Sequence, residues 1–183
     1  MRPLIVFSDL TVDGFMAGPD NDLGFVVDDP RLEDELTGEL MSVADTIIWG
    51  RKAFLGSAAY WTAADGDLAA WMNATPKVVL STDGSYDVGA WENSTLAVGD
   101  GAEQVRRLKA SSGGALVMFG GVRTVRSLVA ADLVDEYWLK FNPAIVGRGG
   151  SMFSDVAERR ALTLRSARSF PSGTVAAIYS TTR

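Results

Sequence analysis

The stretch Ala115-Leu116-Val117-Met118-Phe119-Gly120-Gly121-Val122-Arg123-Thr124 decides the fold. Its first half is a short continuous apolar run, the pattern of a strand covered on both faces, and paired glycines end it. Val122, Val125, Leu128 and Val129 then form one stripe at helical spacing. A buried strand, a glycine turn and a helix in immediate succession are the repeating unit of a mostly parallel α/β sheet.

The same unit recurs along the chain. Strand candidates precede it at Leu4–Phe7, Thr46–Trp49, Lys77–Ser81 and Thr95–Val98, and follow it at Glu136–Phe141, Leu162–Phe170 and Thr174–Thr181. The last two are longer, alternate in polarity and flank Pro171-Ser172-Gly173, so they read as an antiparallel hairpin. Asp29-Pro30 supplies an N-cap and a first-turn proline ahead of Leu32, Leu36 and Leu40. Asp100 with Glu103 starts the helix that carries Val105 and Leu108. No linker, repeat or low-complexity tract interrupts residues 1–183, which read as one domain.

Composition narrows the chemistry sharply. The 183 residues hold no cysteine and no histidine. That excludes disulfides, zinc–thiolate sites, cysteine nucleophiles, a Ser–His–Asp triad and a zinc-dependent nucleobase deaminase. Seventeen basic against 23 acidic residues give a net charge of −6, unfavourable for nucleic acid or an anionic membrane surface. Small anionic ligands need only a few placed donors. No run approaches the ~20 apolar residues of a membrane span, and Leu4-Ile5-Val6-Phe7 is too short for a signal-peptide core. The expected location is cytoplasmic.

In parallel sheets ligands bind outside the carboxyl ends of strands. Three such ends are suited to anions. Gly50-Arg51-Lys52 offers a close turn and two cations, Ser81-Thr82 two hydroxyls, and Gly120-Gly121 a turn at a helix N-terminus. None matches a recognised nucleotide fingerprint: there is no G-x-G-x-x-G after the first strand and no P-loop. Gly147-Arg148-Gly149-Gly150 follows a late strand and reads as a flexible turn.

The order Asp13-Gly14-Phe15-Met16-Ala17-Gly18, Gly50-Arg51-Lys52, Ser81-Thr82, Gly120-Gly121 and Leu133-Val134-Asp135-Glu136 resembles the dihydrofolate-reductase-like superfamily. More narrowly it is similar to the reductase domain of bacterial riboflavin biosynthesis, the RibD C-terminal family. The closing run Asn142-Pro143 through Met152-Phe153 adds to the match. The resemblance implies a three-layer fold with a mostly parallel central sheet, an antiparallel C-terminal hairpin and flanking helices. It also implies an NADPH-dependent reductase. Carried over by position, Gly50, Arg51 and Lys52 meet the cofactor's phosphates, and Ser81 and Thr82 with Arg51 hold the 2′-phosphate region. Gly120, Gly121, Val122, Arg123 and Thr124 receive the pyrophosphate. Asp13, Gly14, Phe15, Met16 and Ala17 form the loop over the nicotinamide side. Hydride transfer needs neither histidine nor metal.

In the folate enzymes an acidic residue on the first helix lies sixteen positions before the Gly-Arg pair, a spacing that falls here on Asp34. A carboxylate beside a cofactor can relay a proton; three consecutive acids, Glu33-Asp34-Glu35, also fit a solvated helix face. Tyr60-Trp61, read as lying in a small-residue loop, can wall a planar pocket or simply anchor the loop. Trp49 reads as core. The expected substrate is a small heterocycle or carbonyl, pterin-like or ribosylaminopyrimidine-like. Two alternatives stay open: a nucleotide-binding regulatory domain without turnover, and a flavin- or deazaflavin-binding reductase. The long C-terminal strands, an exposed edge unless paired, point with the family resemblance to a homodimer.

Overall fold

The computed structural model describes residues 1–182. Its eight strands are β1 (Leu4–Thr11), β2 (Ala44–Gly50), β3 (Lys77–Ser81), β4 (Ser94–Val98), β5 (Ala115–Met118), β6 (Glu136–Asn142), β7 (Leu162–Ser169) and β8 (Val175–Thr181). They form one sheet in the order β4-β3-β2-β5-β1-β6-β8-β7. The first six strands in that order pair in parallel, and β8 runs antiparallel to both β6 and β7. All eight runs expected from the sequence are strands, and the C-terminal hairpin closes on Gly173 at φ +86°.

Alternation along the strands builds two cores. Ile5, Phe7, Ile47, Trp49, Val79, Val117 and Trp138 bury one face, and Leu4, Val6, Ile48, Leu80, Leu116 and Met118 bury the other. On the first face pack α1 (Pro30–Leu32), a π turn (Glu33–Thr37), α2 (Gly38–Val43), α3 (Arg51–Trp61) and α4 (Asp67–Ala74). On the second pack α5 (Gly101–Ala110) and α6 (Val122–Ala130). This is the expected helix–sheet–helix arrangement.

Local signals explain the helix boundaries. The Asp29 carboxylate accepts from the N–H groups of Arg31 and Leu32, and Pro30 occupies the first turn. Its other oxygen accepts from Ser172 N at 2.9 Å, tying this helix start to the hairpin turn. Leu32, Leu36 and Leu40 are all buried. The wide π turn keeps side chains four apart on one face. Asp100 caps α5 through Glu103 N, as its spacing suggests.

The two ends of the sheet differ in kind. At the amino end, Arg2 donates to Gly114 O and Thr46 Oγ1, both at 2.7 Å, and pairs with Asp45. Lys109 donates to Leu133 O at 2.7 Å and pairs with Asp135, which also accepts from Leu4 N. These contacts fasten the strand starts. At the carboxyl end, helices α3 and α6 begin directly after β2 and β5, and glycines allow them to meet. A Cβ built on Gly50 would overlap Thr124 Oγ1 and stand 3.1 Å from Thr124 Cβ, although Gly50 has an ordinary extended φ of −85°. Close approach, rather than backbone freedom, demands glycine there. Among the described residues, no helix is long and apolar enough to cross a membrane.

Lys77, at the start of β3, is wholly buried. Its Nζ donates to the carbonyls of Met72, Asn73 and Thr75 at 2.8–3.0 Å, closing the end of α4, and lies 4.7 Å over the Trp91 ring. Burial pulls its pKa down to about 8, against an upward pull from Glu92.

Two consequences follow for stability. Lys77→Met leaves three helix-end carbonyls without their donor and should cost about 1–3 kcal/mol in denaturant unfolding at pH 7. Because the folded pKa lies below the unfolded 10.5, this lysine adds stability as pH rises from about 8 to 10.5. The deficit of the variant should therefore widen across that window; a constant deficit would contradict the burial account. Gly50→Ala should cost about 1–3 kcal/mol by overpacking, and Thr124→Ala in the same chain should restore part of it. Equal melting curves for wild type and Gly50→Ala would show that the β2–α6 approach is not constrained.

Candidate active site

The carboxyl ends of β3, β2, β5 and β1 lie side by side and open into a cleft of about 920 Å³. Arg51, Lys52, Ser81, Thr82, Gly120, Gly121, Val122, Arg123 and Thr124 line it. The three strand ends singled out in the sequence thus form one continuous surface. Gly50 is not in the lining; it acts beneath it, through the approach to Thr124.

Two helix N-termini face the cleft. Neither α3 nor α6 has a side-chain N-cap: Gly50 and Gly121 occupy those positions. Gly121 sits at φ +84°, ψ +73°, a left-handed conformation that glycine adopts without strain. A Cβ on Gly120 would meet nothing within 4 Å, so backbone is open to the cleft there. Uncapped N–H groups at a helix start, with the positive end of the helix dipole, favour an anion. Arg51, Lys52 and Arg123 add three cations to the lining, against one carboxylate, Asp9. In a chain of net charge −6 this is a marked local reversal.

At the β3 end the geometry is more committed than the sequence suggests. Ser81 Oγ donates to Asp83 O at 3.1 Å and accepts from Asp83 N at 3.0 Å, so its hydroxyl is used in its own turn. Thr82 is exposed in the lining. The Arg51 guanidinium lies 3.6 Å from Asp83 Oδ2, and its carbonyl accepts from the Tyr86 hydroxyl at 2.9 Å. Hydrogen bonds from the Ser85 hydroxyl and N–H, with the Arg51 charge, hold the Asp83 carboxyl below the usual carboxylate range.

The middle of the cleft, at the ends of β2 and β5, has an aromatic wall. Trp49 and Phe119 stack with centroids 6.3 Å apart at 23°, and Phe7 meets Phe119 edge-on at 5.5 Å. Trp49 is buried as expected for core, yet it also lines the cleft, and its indole N–H has no hydrogen-bond partner among the described residues. A buried orphan donor in a cleft wall is suited to a ligand acceptor or water. Beyond the rings, Asp9 lines the cleft, pairs with Lys140 at 2.6 Å and accepts from Asn142 Nδ2 at 3.0 Å. Lys140 Nζ lies 4.7 Å over Phe7. Sequence reasoning missed Asp9 and Lys140, because they meet only through the β1–β6 register.

The glycine-rich loop after β1 divides. Met16 and Ala17 line the cleft, with Asn21, Leu23 and Val26 from the segment that follows. Asp13, Gly14 and Phe15 do not. The Asp13 carboxylate instead accepts from Thr11 Oγ1 at 2.6 Å and from the N–H groups of Val146 and Gly147 at 3.3 and 2.7 Å. Those bonds, Thr11 foremost, lower its pKa. The run 147–150, expected to be a flexible turn, is a clasp. Gly150 bridges Ala17, and a Cβ on Gly149 would overlap the Ala17 carbonyl oxygen.

Three further expected site residues lie elsewhere. Asp34 is exposed in the π turn and does not line the cleft, since the buried face of that turn belongs to Leu36. Tyr60 and Trp61 are in the last turn of α3, not in a loop, and neither reaches the cleft. Tyr60 is exposed, and Trp61 packs against the first core.

Backbone N–H groups at two uncapped helices, three cations, an open Gly120 and an orphan indole donor fit an extended anionic ligand with a planar end, such as a nicotinamide dinucleotide. Comparison with known proteins agrees in fold. A Bacillus subtilis protein, the uncharacterized YyaP, is 29% identical over 185 residues, covering 97% of this chain and 94% of its own. The crystal structure of a putative riboflavin biosynthesis protein from Shewanella sp. PV-4 superposes with a TM-score of 0.81 at 20% identity over the whole of both chains. Dihydrofolate reductase from Enterococcus faecalis, complexed with NADP(H), superposes with a TM-score of 0.63 at 14% identity, over 99% of this chain and 97% of that one. The family model for the RibD C-terminal domain matches residues 2–176, and the chain belongs to that family.

Proposed function

We propose that this protein is an NADPH-dependent reductase of a small planar heterocycle, pyrimidine-like or pterin-like. The observation that carries the reading is the concentration of Arg51, Lys52 and Arg123 around two uncapped helix N-termini, in a cleft that is also walled by stacked rings. Family membership supports a reductase, and the Enterococcus relative in fold was complexed with NADP(H).

The division of labour follows from the residues. The first-turn N–H groups of α6, with Gly120 and Gly121, hold a pyrophosphate; Arg51, Lys52 and Thr82 hold the adenosine end and its 2′-phosphate. Gly50 and Asp13 act at one remove, the first by letting α6 approach β2 and the second by fastening the clasp against β1. Gly14 and Phe15 shape that same turn. Trp49 and Phe119, stacked on each other, wall one side of a planar ring and keep water from it. When bound, the nicotinamide supplies the hydride. Lys140 holds the lining Asp9 in place, and Trp49 offers its indole N–H to a ring carbonyl. Asp34, Tyr60 and Trp61 have no part in this assignment. We also propose that the chain is one domain and that the outer edge of β7, eight residues with Leu164 half exposed, pairs with a second copy.

Titration with NADPH should show saturable binding by reduced-nicotinamide fluorescence, and absence of binding at millimolar cofactor would defeat the reading. Hydrogen bonds to charged groups contribute roughly 1.5–3 kcal/mol each, so Arg51→Ala should weaken NADPH at least tenfold more than NADH. Equal losses for the two would move Arg51 to the shared phosphates or to the fold. Light scattering should give about twice 19.5 kDa at micromolar concentration; the monomer mass would contradict the β7 pairing.

A further inference from the structure

We infer that Asp83, which lies outside the cleft lining but pairs with the lining Arg51, is a specificity-determining residue: a fixed negative charge that opposes a 2′-phosphate and keeps NADH an admissible cofactor. The inference rests on the cofactor reading above and concerns only its adenosine end.

Arg51 lines the cleft, and its guanidinium is already shared with Asp83, just past the end of β3, at 3.6 Å. The pair is about half exposed, at 46% and 45%, so it is worth little to stability and is free to exchange partners. Asp83 cannot move away in that exchange. Its Oδ1 accepts from Ser85 N at 3.0 Å and from Ser85 Oγ at 2.6 Å, and its backbone N–H and carbonyl are both bound by Ser81 Oγ. Asp83 is therefore a rigid carboxylate standing on the far side of the cation that a 2′-phosphate would seek.

A phosphate drawn to Arg51 comes within several ångströms of Asp83 Oδ2, the oxygen that Ser85 leaves unclaimed. Like charges at that range repel by an amount that costs about tenfold in affinity at a half-exposed site. The ribose 2′-hydroxyl of NADH meets no such penalty, since it carries no charge for Asp83 to repel. Acidic side chains recognise a 2′-hydroxyl and arginines a 2′-phosphate in dinucleotide sites generally. Here the two groups stand together, with the serine hydroxyl that could have served the phosphate tied to the turn.

The test is a set of dissociation constants for NADPH and NADH with wild type and Asp83→Asn, read by binding and not by turnover. Asparagine keeps an oxygen for Ser85 N, and a thermal melt confirms that the turn survives. NADPH should tighten about tenfold in Asp83→Asn, while NADH stays within about threefold. An unchanged ratio would make Asp83 a spectator, and weaker NADPH binding would make it a brace that prepares Arg51; either overturns the inference. The nucleotides 2′,5′-ADP and 5′-AMP, titrated in parallel, should show the same shift in ratio. Failure of wild type to bind either dinucleotide would remove the cofactor reading itself. That result is distinct from a bound cofactor whose preference ignores Asp83.

Discussion

Strand β5 is four residues long, fully buried, and inserted between β1 and β2, which are 33 residues apart in sequence. The rest of the structure depends on that insertion. Leu116 pairs with Leu4 on one side and Thr46 on the other, and Val117 with Ile5 and Ile47. So short a strand can hold its place only because both faces are packed and both neighbours supply ladder bonds. Its position brings Phe119 and Gly120-Gly121 to the middle of the carboxyl edge, between the Gly50 turn and Asp9. The cleft follows from strand order, not from any one motif.

The two ends of the sheet show how the chain uses its charges. At the amino end, buried Arg2 and Lys109 are fully engaged with carbonyls and carboxylates, which fits a structural role. At the carboxyl end Lys52 and Arg123 make no ion pair among the described residues. Cations left unpaired at uncapped helix starts in an acidic protein are a binding surface in waiting.

Much of the fold was legible because its strands are continuous apolar runs closed by Gly, Pro, Asp or Ser, and each such run became a strand. Helix α4 escaped notice, since Asp67-Leu68-Ala69-Ala70-Trp71-Met72 has too little polar contrast to show a stripe. The same poverty of pattern made Tyr60-Trp61 look like loop, although α3 continues through them. At the site, residues adjacent to strand ends could be read from sequence because their position follows from the strand itself. Residues that depend on distant pairings could not. Asp9 meets Lys140 across 131 positions, Asp13 meets Gly147 across 134, and Asp83 meets Arg51 across a strand order that no local spacing reveals. Asp34 failed for the converse reason: a spacing transferred from relatives does not survive a π turn that places it toward solvent.

The central claim is that one ligand lies across the ends of β3, β2, β5 and β1. Amide hydrogen exchange with and without saturating NADPH tests it most directly, because it reads the location of binding independently of any reaction. Protection should concentrate in residues 8–9 with 16–17, 50–54, 80–83 and 119–124. A second concavity of about 540 Å³ lies beyond α6, lined by Asp132 and the segment 157–161. Protection confined to that region, or none at the four strand ends, would contradict the account.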